Sequence, residues 1–386
     1  MNGLQIVLEL ELEEQQILTP YDNFVYALRA KETKRQYPHR LDKFLVFMGF
    51  EGTIEEKCTK LYEFTKKNNN SIQSYLIKFI NYQKQRIEDK EISEGTLVNY
   101  IKAIKLFYSM NDIIINWKKI GKGIPAERHN ADDRIPTLDE IKKLLEHADR
   151  RIKPIVYTML SAGIRVGSWN YLKWKHIIPI FRNNNVIAAK IILRNTKINN
   201  REYYSFISPE AYNALKDWMD FRKLHGEQVS GESWLMRDTW EKIDRDHSHR
   251  IGLAKYPKKF NHIAIGNMIG EAWRVQGVRD LLDPAKKIKR HEFKSTHCFR
   301  KYFETRCQLK MNHNHIKLLM DHSLGESQNY HRPIEQELLD DYLNAVDSLT
   351  INQEFRLKNK IEVLEIEKSE MDNLKLRLKK LESKVK

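Results

Sequence analysis

VIAAKIILRNTKINNREYYSFI, residues 186–207, is the stretch that sets the fold class. Its first eight and last six residues are rich in β-branched and aromatic side chains, and the RNTKINNR between them is turn-like, so 186–193 and 202–207 predict two strands of a hairpin. The sequence around it has a different period. Downstream, helical patterning resumes from Pro209 and returns over 297–347, with a polar, aromatic and irregular stretch at 225–260 between. Upstream, Thr137-Leu138-Asp139-Glu140 forms a capping box, and Ile141, Leu144 and Leu145 follow at helical spacing. The expected class is therefore mainly α with a small β-sheet (α+β).

Before that box, KIGKGIPAERHNADDRI (119–135) holds two glycines, a proline and mixed charges, the composition of a linker. Residues 22–118 are helical throughout. Segments 34–49, 54–67, 71–88 and 95–111 each predict a helix, the last with Leu97, Ile101, Ile104 and Tyr108 on one face. LQIVLELELEE (4–14) alternates like a strand but is strongly acidic, and is expected to be an arm. At the other end, Leu357, Ile361 and Leu364, then Met371, Leu374, Leu378, Leu381 and Val385, recur three and four apart with charges between. That pattern predicts a short coiled coil with one phase change near Lys368. The organisation expected is an arm (1–21), a helical domain (22–118), a linker (119–135), a second domain (136–349) and a coiled-coil helix (350–386).

The chain of 386 residues carries 67 Lys and Arg against 52 Asp and Glu, a formal charge of +15. Residues 1–24 hold five acids and no base, and residues 333–386 hold ten bases and twelve acids. Subtracting those nets (−5 and −2) from +15 leaves +22 on residues 25–332. Positive charge so concentrated points to a polyanion, and a DNA clamp has that distribution. Three cysteines without CxxC spacing support neither a zinc knuckle nor a disulfide framework, and imply a reducing compartment. Residues 1–20 have neither a basic start nor a clean apolar run, so no signal peptide is expected, and the uncharged stretch between Lys153 and Arg165 is too short to span a bilayer. A cytoplasmic, DNA-associated protein follows, with no membrane partner.

Cutting a DNA phosphodiester takes a nucleophile, cations around the phosphate and an acid for the leaving 5′ oxygen. Guanidinium groups suit the phosphate because they donate paired, planar hydrogen bonds and keep their charge. Suitable residues occur in order: Arg165, Lys197, His297, Arg300, His322 and Tyr330. They lie in SAGIRVGSWNYLKW (161–174), NTKINNREYYSFIS (195–208), STHCFRKYFET (295–305) and LLMDHSLGESQNYH (318–331). Each piece alone is weak, since H-x-x-R is common on solvated helix faces. Together, in this order, they resemble the tyrosine recombinase (phage integrase) family over residues 136–348. The Lys- and Asn-rich chain and its divergent first box suggest an archaeal mobile element.

The resemblance implies that 22–118 is the DNA core-binding domain and 136–349 the catalytic domain of a site-specific recombinase, with a covalent 3′-phosphotyrosine intermediate. Arg165 and Arg300 would hold the scissile phosphate, Lys197 would protonate the leaving 5′ oxygen, and His297 would take the tyrosine proton. His322 would donate to a non-bridging oxygen, and Tyr330 would be the nucleophile. No metal and no cofactor is expected; His313 with His315 and His247 with His249 have H-x-H spacing but no third ligand type nearby, and are expected at the surface. The partners implied are double-stranded DNA attachment sites and further copies of the chain, a tetramer on synapsed DNA. The amphipathic segment 334–349 (Leu338, Leu339, Tyr342, Leu343, Val346) is expected to dock on a neighbouring subunit.

This sequence departs from the family in three places. His322 and Tyr330 are eight residues apart rather than nine. Ser168 stands where an acid is usual three residues after the first arginine. Asp321 stands where glycine is common, and a carboxylate there is expected to favour protonated His322. Lys190 and Arg201 are the alternatives to Lys197; Tyr342 lies too far from His322, within an amphipathic helix, and Tyr302 looks like a core residue, so neither is read as the nucleophile. A type IB topoisomerase or telomere resolvase, and a non-catalytic DNA-binding protein, are the competing functions. A small helical domain leading directly into the second domain disfavours the first, and the intact residue set the last.

Overall fold

The computed structural model describes residues 18–125, 133–195, 201–238, 258–281, 291–325, 330–357 and scattered positions from 361 to 377. The chain divides into two compact units, Met1–Ala131 and Asp132–Lys386.

The first unit is helical: α1 (Pro20–Tyr26), α2 (Lys31–Phe47), α3 (Ile54–Lys67), α4 (Asn69–Glu88), α5 (Glu94–Met110) and the short α6 (Trp117–Gly121). Apolar residues at three- and four-residue steps on each helix meet in one core that includes Phe24, Phe44, Leu61, Phe79, Ile104 and Phe107, all fully buried. Phe44 and Phe79 pack edge-on with ring centres 5.2 Å apart. Thr53 and Glu56 close a capping box at the start of α3. The four helices read at 34–49, 54–67, 71–88 and 95–111 correspond to α2–α5, within three residues at every end.

The second unit contains α7 (Leu138–Leu145), α8 (Ile152–Ala162), 3₁₀ turns at Val166–Asn170 and Trp174–His176, and strands β1 (Ile177–Arg182), β2 (Asn185–Asn195) and β3 (Arg201–Ile207). Helices α9 (Pro209–Leu224), α10 (His262–Val275), α11 (His297–Cys307), α12 (His313–Leu319) and α13 (Glu335–Leu349) follow. The capping box read at Thr137 starts α7: Glu140 N–H donates to Thr137 Oγ1 (3.2 Å), and Thr137 N–H donates to Glu140 Oε2 (2.7 Å).

The strands form one antiparallel sheet in the order β1-β2-β3. The hairpin read at 186–207 is β2 and β3, with Leu193 opposite Tyr203 and Asn195 opposite Arg201. Alternation along β2 sends Ala189, Ile191 and Leu193 into one core, shared with α7–α10. Ala188 and, from β3, Phe206 enter a second core against α11, α12 and α13. The sequence reading did not include β1. Its Pro179 argues against a strand, but β1 is an edge strand, the place in a sheet where proline is tolerated. Asn183 and Asn184 both take positive φ (48° and 64°) in the two-residue turn that joins it to β2, the conformation that suits asparagine.

The apolar face of α13 is covered by its own unit. Leu338, Leu339, Tyr342, Val346 and Leu349 are buried, and the Tyr342 hydroxyl donates to Ser161 O. The expectation that these residues dock on a neighbouring subunit is therefore corrected: their burial is intramolecular, in the core below β2 and β3. The chain then turns back. Ile351 is buried, and the N–H groups of Ile351 and Asn352 donate to the carboxylate of buried Glu210 on α9. Beyond Leu357 most of the coiled-coil reading lies outside the described residues, as do the arm read at 4–14 and part of the linker read at 119–135. Among the described residues no helix is long and apolar enough to cross a membrane.

Candidate active site

Two helix C-termini build the site. Helix α8 ends at Gly163, whose φ of +60° is a left-handed cap. A side chain is excluded there twice over, by that φ and by the Phe303 ring, 2.4 Å from where a Cβ would lie. The chain leaves Gly163 extended and presents Arg165 at the mouth of the following 3₁₀ turn. Helix α12 ends in a Schellman motif: His322 N–H donates to Lys317 O (2.8 Å), and Asp321 N–H donates to Leu318 O (3.0 Å). Asp321 takes the left-handed position of the motif, with φ +52°.

Arg300, on α11, bridges these ends. Its Nη1 donates to Gly163 O and its Nη2 to Met320 O, both carbonyls at the negative end of a helix. Nη2 also meets His322 Nε2 at 2.7 Å. A guanidinium has only donors, so His322 Nε2 accepts, and the imidazole is neutral with its proton on Nδ1. Arg300 is 3% exposed, and burial, then the like charge of Arg165, pushes its pKa down to about 10. His322 is likewise shifted downward, by burial first and then by Arg300. This corrects the expectation that Asp321 would favour protonated His322: Asp321 acts in that direction, but burial and the cations outweigh it.

Asp321 spends its carboxylate elsewhere. The side chain is only 2% exposed. It accepts from Arg201 Nη2 (2.7 Å), from Asn195 Nδ2, and more loosely from Arg165 Nη1 (3.4 Å). Arg165 Nη2 also reaches the Asp321 carbonyl at 3.5 Å, and its side chain stays 44% exposed.

The remaining predicted residues are placed as follows. His297 is the first residue of α11, one turn before Arg300. Its pKa is lowered by burial and by the cations Lys294, Arg300 and Lys301. Lys197 lies outside the described residues, between the paired strand ends Asn195 and Arg201. Of its two alternatives, Lys190 is bound to Glu335 (2.6 Å) and lies over the Tyr204 ring, and Arg201 is bound to Asp321. Tyr330 is 89% exposed, and among the described residues its hydroxyl has no hydrogen-bond partner, so it is not brought to the Arg300–His322 pair. The next residue, His331, stacks on His315 at 5.2 Å, and His315 Nδ1 pairs with Asp341 (2.8 Å). His315 is thus a packed residue rather than a surface one; His247 and His249 lie outside the described residues. Ser168 is buried in its 3₁₀ turn, and Tyr302 is buried in the core.

The structure therefore gathers Arg165, Arg300 and His322 into one cluster, places His297 beside it, and leaves Tyr330 outside. The sequence reading named Asp321 and Arg201 but not the bond between them, and it did not name Asn195. That grouping depends on the contact between the strand ends and the end of α12, which lies 120 to 126 residues away in sequence. Among the described residues no group of three or more His, Cys, Asp or Glu side chains is placed to hold a metal ion. The cluster holds two cationic side chains, and its His322 also lines a cleft of about 530 Å³ together with Arg201, Tyr203, Asp321 and His331. Two guanidinium groups close enough to repel, with a neutral imidazole, form an arrangement that a phosphate diester neutralises.

No family model matches the chain, and no curated protein matches it. Solved structures do. The XerH site-specific recombinase bound to palindromic difH substrate is similar over 90% of this chain and 95% of that one, with 14% identity and a TM-score of 0.48. The XerA recombinase is similar over 84% and 96%, with 20% identity and a TM-score of 0.35. The Tn1549 transposon integrase in complex with transposon right end DNA is similar over 79% and 98%, with 14% identity and a TM-score of 0.41. Likeness at this level leaves function to be argued from the site.

Proposed function

We propose that the chain is a tyrosine-type site-specific DNA recombinase that integrates or excises a mobile element. One observation carries this reading: buried Arg300 is fixed by two helix ends and by His322, with Arg165 held beside it. An arginine so anchored is preorganised, and its attraction for an anion bound there is stronger than it would be in water. In the proposed reaction the Tyr330 oxygen attacks the scissile phosphorus while its proton passes to neutral His297. Arg165 and Arg300 balance the charge that grows on the non-bridging oxygens, and His322 donates to one of them from Nδ1. The bond from phosphorus to the 5′ oxygen breaks, and Lys197 gives that oxygen a proton. The 3′-phosphotyrosine conserves the ester bond, so a 5′ hydroxyl attacking it rejoins the strand. The reaction needs no metal.

The first unit serves as the core-binding domain and the second as the catalytic domain. The enzyme acts as a tetramer on two attachment sites, DNA-associated in the cytoplasm. Leu357, Ile361, Leu364, Met371 and Leu374 are exposed in a repeating pattern, and the tail would use them to strengthen that assembly.

The test is a nicked suicide substrate carrying the element's attachment site, incubated with chelator. Wild type is expected to give a denaturant-resistant protein–DNA adduct, and Tyr330→Phe to bind the DNA and give none. A wild type that binds the site and forms no adduct sinks the reading in favour of a non-catalytic DNA-binding protein.

A further inference from the structure

We infer that Asp321 is a positioning residue that fixes the root of the β2–β3 turn at the active site. The inference rests on the recombinase reading above. A left-handed φ of +52° at the end of α12 is the place for glycine, where an aspartate side chain adds nothing to the backbone turn and carries a modest conformational cost. Here the position holds a carboxylate that is almost completely buried yet fully engaged. Its two oxygens take Arg201 on one side and Asn195 on the other. Those two residues face each other as the last described pair of the β2–β3 ladder, so the carboxylate bolts both ends of the turn to the segment that carries His322. The same group reaches Arg165, which joins the first arginine to the clasp.

Each partner contributes something that the geometry needs. The turn root is polar: Asn195 and Arg201 pair across the ladder, and both bond the same carboxylate. Arg201 and Arg165 are like charges that would repel without the carboxylate between them. Asp321 neutralises one charge and orders both. Its effect on the reaction is through the turn, which bears the leaving-group acid, and not through contact with the phosphate.

The position offers an unusually clean variant. Asp321→Gly suits the backbone and removes only the carboxylate; relief of the left-handed φ offsets part of the cost of leaving its donors unpaired, so the thermal midpoint is expected to fall by no more than a few degrees. On an ordinary suicide substrate the variant should form the covalent adduct on the order of 100-fold more slowly than wild type, the scale of a displaced catalytic group. On a substrate whose leaving 5′ oxygen is replaced by sulfur, which departs without a proton, most of that deficit should vanish, as it should for Lys197→Ala. DNA affinity should be unchanged within about two-fold, since affinity comes from many backbone contacts. An Asp321→Gly variant as fast as wild type on the ordinary substrate overturns the inference. So does one equally slow on both substrates, which would assign the carboxylate to the arginines or to folding. Failure of wild type itself on both substrates is a different result: it removes the recombinase reading, and this inference with it.

Discussion

Arg165 and Arg300 are chemically the same residue in different surroundings, and that difference separates their variants. Arg300 is buried and holds the carbonyls of Gly163 and Met320. Replacing it with alanine leaves buried acceptors unpaired, at a cost of about 1–3 kcal/mol. Arg165 is 44% exposed, and its contacts with Asp321 are long. Its alanine variant should lie within about 0.5 kcal/mol of wild type in denaturant unfolding. Both should form no measurable adduct. Equal stability losses in the two would mean that Arg300 is not the anchored member. The histidines set the pH behaviour. Both His297 and His322 are shifted below the ordinary imidazole value of 6.5, by burial first. Their neutral forms therefore persist to lower pH in the folded protein than in the unfolded chain. Because the unfolded chain binds those protons first, their contribution to stability is complete above about pH 6.5 and declines as pH falls through and below it. If His297 takes the tyrosine proton as proposed, adduct formation needs its neutral form, and the rate should stay level from pH 8 to about 6.5 and drop below that. A rate that rises on acidification through this range would exclude His297 as the proton acceptor.

Among the elements, α13 and the turn after it show what pattern alone misses. The amphipathic period of 334–349 was plain in the sequence, but not which surface would cover it. The answer came from Phe206, Phe303 and Leu319, residues of three other elements. The same limit applies to β1, where Pro179 hid an edge strand, and to Asp321, whose partners come from strand ends far along the chain. By contrast, α2–α5, the hairpin and the Thr137 capping box were legible because each is specified within a few residues by period, turn chemistry or cap. In the site, the residue types were legible and their grouping was not. The Arg300–His322 contact depends on the ends of α8 and α12, which only the fold brings together. The clasp on Glu210 bears on where the tail can be removed. A chain ending at Thr350 loses the Ile351 and Asn352 donors and leaves a buried carboxylate without them. It should be about 1–3 kcal/mol less stable than a chain ending at Leu357. The longer truncation should match full-length stability and cleavage while giving smaller assemblies in sedimentation. Identical unfolding curves for the two truncations would remove the clasp from the account.

For the whole molecule, charge and chemistry make separate contributions. On the proposed reading, the +22 carried by residues 25–332 would supply affinity for the DNA backbone that weakens with salt and does not depend on any single site residue. On the proposed reading the chemistry would depend on one tyrosine in surroundings unlike those of its cations: Tyr330 is 89% exposed, while Arg300 is buried against His322. The proposed reaction would then require that Tyr330 be carried to the phosphate once DNA lies on the arginines, and hydrogen bonds that form only in the assembled complex fit that requirement. The most direct measurement is to trap the covalent complex on a nicked attachment-site duplex at low ionic strength, digest protein and DNA, and locate the modified peptide by mass spectrometry. The account predicts a 3′-phosphonucleotide on Tyr330 alone, absent from Tyr330→Phe. Attachment at any other residue, or an adduct that survives in Tyr330→Phe, would contradict it.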